Sequence, residues 1–177
     1  MDDRSVPVVR FRPLTVDDFQ MLASWFTDPV IARWWDQPAD LDAVRATYLP
    51  RVEGRESTEM WVAEVDGVAA GLFQCYPHRD YNDHDAAVGI PDAVGVDYLV
   101  NADHRARGVG RQIIAAFARH ALGRFPETAV CVATPAQDNQ ASWRALEHAG
   151  FAREGECQPP DEPIAFVYVL HRSTLDA

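Results

Sequence analysis

The sequence predicts an α/β (α+β) fold, a mixed sheet carrying helices on both faces. Three observations carry this. Stretches with strand-like alternation are spread along all 177 residues rather than gathered in one block. Helix-period stretches that open on Thr, Asp or Asn separate several of them. Asp66-Gly67 stands between two β-rich runs, which is a strong short-range hairpin signal. No repeat, low-complexity tract or linker divides the chain, so residues 1–177 are expected to form a single domain.

Each element has its own local cause. Val6 to Leu14 alternates as a first strand. Thr15-Val16-Asp17-Asp18 resembles a capping box with Asp in place of Glu, and the helix it opens buries Phe19, Leu22, Ala23 and Phe26. Pro29 ends or restarts that helix. Asp40 caps a further helix through Val44 and Tyr48, with Pro50 near its end. Met60 to Val65 and Val68 to Tyr76 form the hairpin arms. Pro77 to Asp92 is acidic and irregular and reads as a long loop. Val94 to Val100 is the next strand, followed by a helix from about Gly108 to Leu122 and a strand from Thr128 to Ala133. Asp138 or Asn139 caps a helix ending at Gly150, and Phe151 to Glu154 and Ile164 to His171 close the sheet. The order is strand, helices, strand run, helix, strand, helix, two strands.

Composition narrows the function. The net charge is −11, from 27 acidic against 16 basic residues, which argues against a nucleic-acid partner because phosphate binding needs a positive field. The same excess serves solubility, or draws a polycationic small molecule into an acidic cleft. No apolar run approaches the roughly 18 residues of a membrane span, and the N-terminus lacks the pattern of a signal peptide. Cys75, Cys131 and Cys157 form no Cys-x-x-Cys pair and read as free thiols of a cytoplasmic protein. His78 and His84 lie among Asp80, Asp83 and Asp85 without metal-ligand spacing, so no metal is expected.

Two features carry chemistry. Arg105-Ala106-Arg107-Gly108-Val109-Gly110 joins an apolar strand to an apolar-periodic helix. Glycines let the backbone approach an anion, the first free N–H groups of the helix point at it, and Arg105, Arg107 and Arg111 add charge at the rim. The same glycines also suit a plain tight turn. The second feature is Asp97, a carboxylate on an otherwise apolar strand, where it is costly unless paired or functional. With period two, Asp97 shares a face with Gly95 and Leu99, opposite Val96, Tyr98 and Val100.

The element order, the Arg-x-x-Gly-x-Gly loop after the fourth strand, and Asn139 through Ala149-Gly150-Phe151 together resemble the GNAT family of acetyl-CoA-dependent N-acetyltransferases. The likeness is closer still to the aminoglycoside 6′-N-acetyltransferases within it. It covers nearly the whole chain and includes Ile31 to Trp35, Tyr48-Leu49-Pro50, Gly95-Val96-Asp97 and Pro160-Asp161. The resemblance implies a mostly antiparallel central sheet of about seven strands whose fourth and fifth strands splay apart. In that notch Tyr98, Leu99 and Val100 would meet the pantetheine arm of acetyl-CoA. Arg105, Arg107, Gly108, Val109, Gly110 and Arg111 would hold its pyrophosphate, with CoA leaving as product. Asn139 would contact the cofactor from the far side, and it also suits a helix N-cap without any ligand.

The resemblance makes Asp97 the catalytic carboxylate, which also binds the substrate ammonium. Trp35, Gln74, Tyr76 and Asp161 match substrate-binding positions, although a Trp34-Trp35 pair also suits a core. Two positions depart from the family pattern. Leu146 stands where the family has the tyrosine that protonates the leaving thiolate, and Thr134 replaces an acidic substrate residue. The implied function is acetyl transfer from acetyl-CoA to a primary amine of a polycationic small molecule, the 6′-amine of an aminoglycoside, by a monomer or homodimer that needs neither nucleic acid nor membrane. Two alternatives stand beside it. One is a siderophore or hydroxylysine-type N-acyltransferase with a longer donor chain. The other is a GNAT module that binds CoA or an amine without turnover.

Overall fold

The computed structural model describes residues 6–37, 39–105 and 108–175. One seven-stranded sheet runs in the order β1-β2-β3-β4-β5-β7-β6. Its strands are β1 (Val9–Pro13), β2 (Glu59–Val65), β3 (Val68–Pro77), β4 (Ala93–Val100), β5 (Val130–Ala133), β6 (Ala152–Cys157) and β7 (Ala165–His171). Every neighbouring pair is antiparallel except β4 and β5. The mixed sheet expected from the sequence is therefore present, with its single parallel pair at the centre.

The β2–β3 hairpin turns at Asp66 and Gly67, both with positive φ (52° and 82°), the mirror-image geometry whose twist suits a two-residue connection. Helices cover both faces. On one lie α1 (Phe19–Phe26), α2 (Pro29–Trp35) and α3 (Leu41–Val52), which bury Phe19, Leu22, Phe26 and Tyr48 against Val62, Leu72 and Leu99. On the other, α5 (Gly110–Arg124) and α6 (Gln140–His148) bury Ile113, Phe117 and Leu146 against Phe73, Val94 and Val96. No described helix is long and apolar enough to cross a membrane. The three cysteines are buried and unpaired.

Capping sets where the cleft-forming helices begin. Asp18 accepts from the backbone N–H of Thr15 at 2.9 Å and takes both terminal nitrogens of Arg12 at 2.8 Å. Burial works to raise the Asp18 carboxyl, but the Arg12 guanidinium and the Thr15 donors outweigh it and hold the group below its usual range. The box caps a short 3₁₀ turn, Val16–Asp18, that leads into α1. Asp28 caps α2 with Pro29 at its first position, and Asp40 caps α3.

Two expectations need correction. The stretch from Pro77 to Asp92 is not loop throughout: it holds a 3₁₀ turn, His78–Asp80, and α4 (Asn82–Val88). This seven-residue helix contains only three apolar residues, so it shows no apolar period; it forms because Ala87 and Val88 pack against the cluster of Val130, Val132, Val167 and Val169. The strand expected at Phe151 to Glu154 instead spans Ala152–Cys157, because pairing with β7 carries it past a register shift between Arg153 and Gly155.

Candidate active site

Where the parallel pair ends, the sheet opens. β4 and β5 pair only at Ala93–Val130, Val94–Cys131 and Gly95–Val132. β5 stops at Ala133, whereas β4 runs on to Val100, so its last five residues pair with β3 alone. The gap is the floor of a cavity of about 1030 Å³. Val96 to Val100 line one wall, residues 133–136 and the cavity-facing turns of α6 line the other, and α2 borders it with Ile31, Trp34 and Trp35.

One end of the cavity is built for an anion. Gly108 has φ +75°, a conformation that suits glycine and brings the chain into α5. Val109 is the N-cap of α5 and offers no side-chain cap, so the first N–H groups of a 15-residue helix are left without that partner. Gly108, Gly110 and Arg111 line the cavity there, and Asn139 lines the facing rim. Asn139 is also the N-cap of α6, accepting from the Ser142 N–H at 3.2 Å. Arg107 lies outside the described residues.

Arg105 has a role the sequence does not show. Its guanidinium is ion-paired with Asp28, 77 positions away, which also caps α2. The Arg105 hydrogen bond is the largest cause that holds the Asp28 carboxyl below its usual value, and it outweighs the opposing effect of burial. Across the cavity Arg33 reaches Asp138 at 3.3 Å. These pairs tie α2, and with it Trp34 and Trp35, to the loops on both rims. Nη1 of Arg105 is buried and has no partner among the described residues, which leaves it placed to donate to a ligand.

The other end centres on Asp97. It lies opposite Gln74 on β3, whose amide nitrogen donates to Asp97 Oδ2 at 2.7 Å. Gln74 in turn accepts from Arg51 Nη1 at 3.2 Å. Trp35 donates its indole N–H to the Tyr48 hydroxyl at 2.7 Å, which leaves the face of the ring to line the cavity. Tyr98 points to the opposite face of β4, stacks on Phe73, and hydrogen-bonds Ser142 Oγ of α6 at 2.8 Å. Ser142 precedes Leu146 by one helical turn, and both line the cavity.

Tyr76 does not line it. The ring is buried between His78 and Tyr81, and burial, with the charge of Asp97 nearby, pushes the phenol well above its usual range. Beneath it His78 is 1% exposed, and neither ring nitrogen has a partner among the described residues. Burial, and secondarily His84, lower this imidazole from 6.5 to about 4. In the unfolded chain the ring would take a proton near 6.5, so its contribution to stability is present above that pH and is lost as pH falls toward 4. The difference is worth on the order of 3 kcal/mol. Urea midpoints of wild type and His78→Phe at pH 7.5 and pH 4.5 should show the variant losing less stability on acidification; equal losses would remove His78 from the acid response.

Among the residues picked from sequence, Trp35, Gln74, Asp97, Tyr98, Leu99 and Val100 line the cavity, as do Arg105, Gly108, Gly110, Arg111 and Asn139. Val109 caps the helix behind it. Asp161 sits in the turn after β6 with φ +61° and does not reach it. Sequence reading missed Arg51, Ser142 and Asp28. Helical spacing could have flagged the first two, since Arg51 follows Tyr48 by three positions and Ser142 precedes Leu146 by four.

A family model described as an acetyltransferase (GNAT) domain matches residues 15–159. An aminoglycoside N(6′)-acetyltransferase type 1 of Klebsiella pneumoniae is 29% identical over 167 residues, covering 90% of this chain and 81% of the relative. A solved aminoglycoside acetyltransferase in complex with coenzyme A superposes with a TM-score of 0.79 at 28% identity, over 96% of this chain and 98% of that one. A structure with coenzyme A and kanamycin bound gives a TM-score of 0.79 at 29% identity, over 96% and 98%.

Proposed function

The chain belongs to the GNAT acetyltransferase family, and from that premise we propose that it carries acetyl from acetyl-CoA directly to a primary amine of a polycationic small molecule, the 6′-amine of an aminoglycoside. The observation that carries this reading is the single cavity joining the N-terminus of α5 to Asp97 through the gap between β4 and β5. A donor with a pyrophosphate at one end and an extended amide arm fits that shape. Gly108, Val109, Gly110, Arg111 and Nη1 of Arg105 hold the pyrophosphate, together with Arg107. Tyr98, Leu99 and Val100, on the stretch of β4 that β5 leaves unpaired, hold the arm, and Asn139 closes the far side. The coenzyme A bound by relatives at 28% and 29% identity supports the assignment. When bound, the donor supplies an activated thioester carbonyl.

The protein's own groups do the rest. Asp97 receives the acceptor's ammonium, with the Gln74 amide fixing one carboxylate oxygen so that the other faces the amine. The nitrogen has no lone pair until the bound ammonium gives up one proton, which passes to solvent. The neutral amine then attacks the thioester carbonyl, and Asp97, a weak base toward a free ammonium, takes the second proton, directly or through a water, once the carbon–nitrogen bond has made the nitrogen acidic. A backbone N–H of β4 meets the oxyanion. Leu146 offers no proton to the departing sulfur, but a thiolate is a stable enough anion to leave unaided. Trp35 presents a ring face to a sugar. The cytoplasm, where the three free thiols would stay reduced, is the proposed compartment.

A thiol-release assay with acetyl-CoA tests the reading. Release is expected with aminoglycosides that carry a 6′-amine and not with analogues that carry a 6′-hydroxyl. Release indifferent to that exchange, no release with any amine, or a preference for acyl chains longer than acetyl would overturn it.

A further inference from the structure

Arg51 takes no part in the chemistry above, yet it lines the acceptor end of the cavity beside Gln74 and Asp97. It sits in the last turn of α3, its guanidinium 5.5 Å from the Tyr48 ring. Nε donates to Glu56 at 2.9 Å and Nη1 to Gln74 at 3.2 Å. Among the described residues nothing accepts from Nη2. Through Gln74 the cation stands two hydrogen bonds from the carboxylate that receives the amine. Glu56 forms an ion pair with Nε at 2.9 Å on the solvent side, so it offsets the guanidinium charge only in part and away from Gln74. In a chain of net charge −11, a cation at this place runs against the general field.

A guanidinium does not lose its proton, so its repulsion of ammonium groups is permanent, and its remaining donors suit oxygen acceptors. We propose that Arg51 is a specificity-determining residue of the acceptor site: it admits an amine whose near neighbours are oxygens, as in an amino sugar, and turns away one with a second ammonium a few bonds off, as in a linear polyamine. The proposal rests on the acceptor site assigned above and narrows its substrate class.

The test is calorimetry of kanamycin and of spermidine on the full chain saturated with CoA, together with kcat/KM for both acceptors. Wild type should bind kanamycin in preference to spermidine. Arg51→Gln removes the charge and keeps a polar contact for Gln74, and should shift the affinity ratio toward spermidine about tenfold, the size of one unit-charge repulsion at about 6 Å in a medium between protein and water. Arg51→Lys keeps the charge and should leave the ratio within about twofold of wild type. If both variants weaken the two acceptors by the same factor, Arg51 only holds Gln74 in place and the proposal falls. If wild type binds CoA but neither binds nor acetylates any amine, the proposed function itself falls, a result that differs from an unchanged ratio.

Discussion

Asp97→Asn is expected to lower kcat by at least about 100-fold, at the lower edge of what a positioned acid or base contributes, while acetyl-CoA affinity stays within about twofold. The substitution keeps the shape of the side chain. Its Oδ1 can still accept from Gln74, so β3 and β4 stay in register at this point. It removes the charge that holds an ammonium and the lone pair that takes its proton, and the new amide NH₂ faces the amine as a repelling donor. The anion end is built from the β4–α5 loop and α5, several residues further along the chain, and does not depend on the carboxylate. Steady-state thiol release and calorimetric titration with acetyl-CoA read the two effects separately. Undiminished turnover would strip Asp97 of its role, and loss of acetyl-CoA binding would show that it acts on the fold instead.

Gly95→Ala is expected to cost the fold substantial stability. A Cβ at this position would lie 2.5 and 2.6 Å from two carbons of the Tyr76 ring and 2.7 Å from Nε2 of His78. Neither neighbour has room to yield: Tyr76 is packed between His78 and Tyr81, and His78 is fully buried. Gly95 is also the last residue of β4 to pair with β5, so any shift moves the point where the cavity opens. Overpacking of this kind costs about 3 kcal/mol, and for a domain of this size the melting temperature should fall by about 6–12 °C. Gly110→Ala is the control, since its Cβ would meet nothing within 4 Å, and its melting temperature should stay within about 2 °C of wild type. Equal melting temperatures for Gly95→Ala and wild type would mean that Tyr76 has space the packing does not show.

What could be read locally was read from residues only a few positions apart. Asp66-Gly67 encodes its turn because few residues accept positive φ in succession. Asp40 and Asn139 announce helix starts because a short polar side chain reaches N–H groups two or three positions on. Alternation along Val94 to Val100 put Asp97 on the face opposite Tyr98, and the structure keeps them there, with Asp97 beside Gln74 and Tyr98 against α6. The sequence by itself therefore determined the strands, most of the helices, the glycine loop before α5 and the face on which the carboxylate sits.

Only the tertiary structure decided the rest. α4 has no apolar period of its own and owes its existence to a cluster of valines from two distant strands. Tyr76 alternates onto the same face as Gln74, but His78 and Tyr81 claim its ring before the cavity can. Arg105, which from its loop reads as a free cation, is paired with Asp28 77 positions away, and Arg33 meets Asp138 across 105. Arg51 reaches Gln74 only after α3 has docked on the sheet. Local preferences act within a turn of helix or a pair of strand residues. Partners this far apart meet only once the register of the sheet has brought them together, so no pattern along the chain announces them.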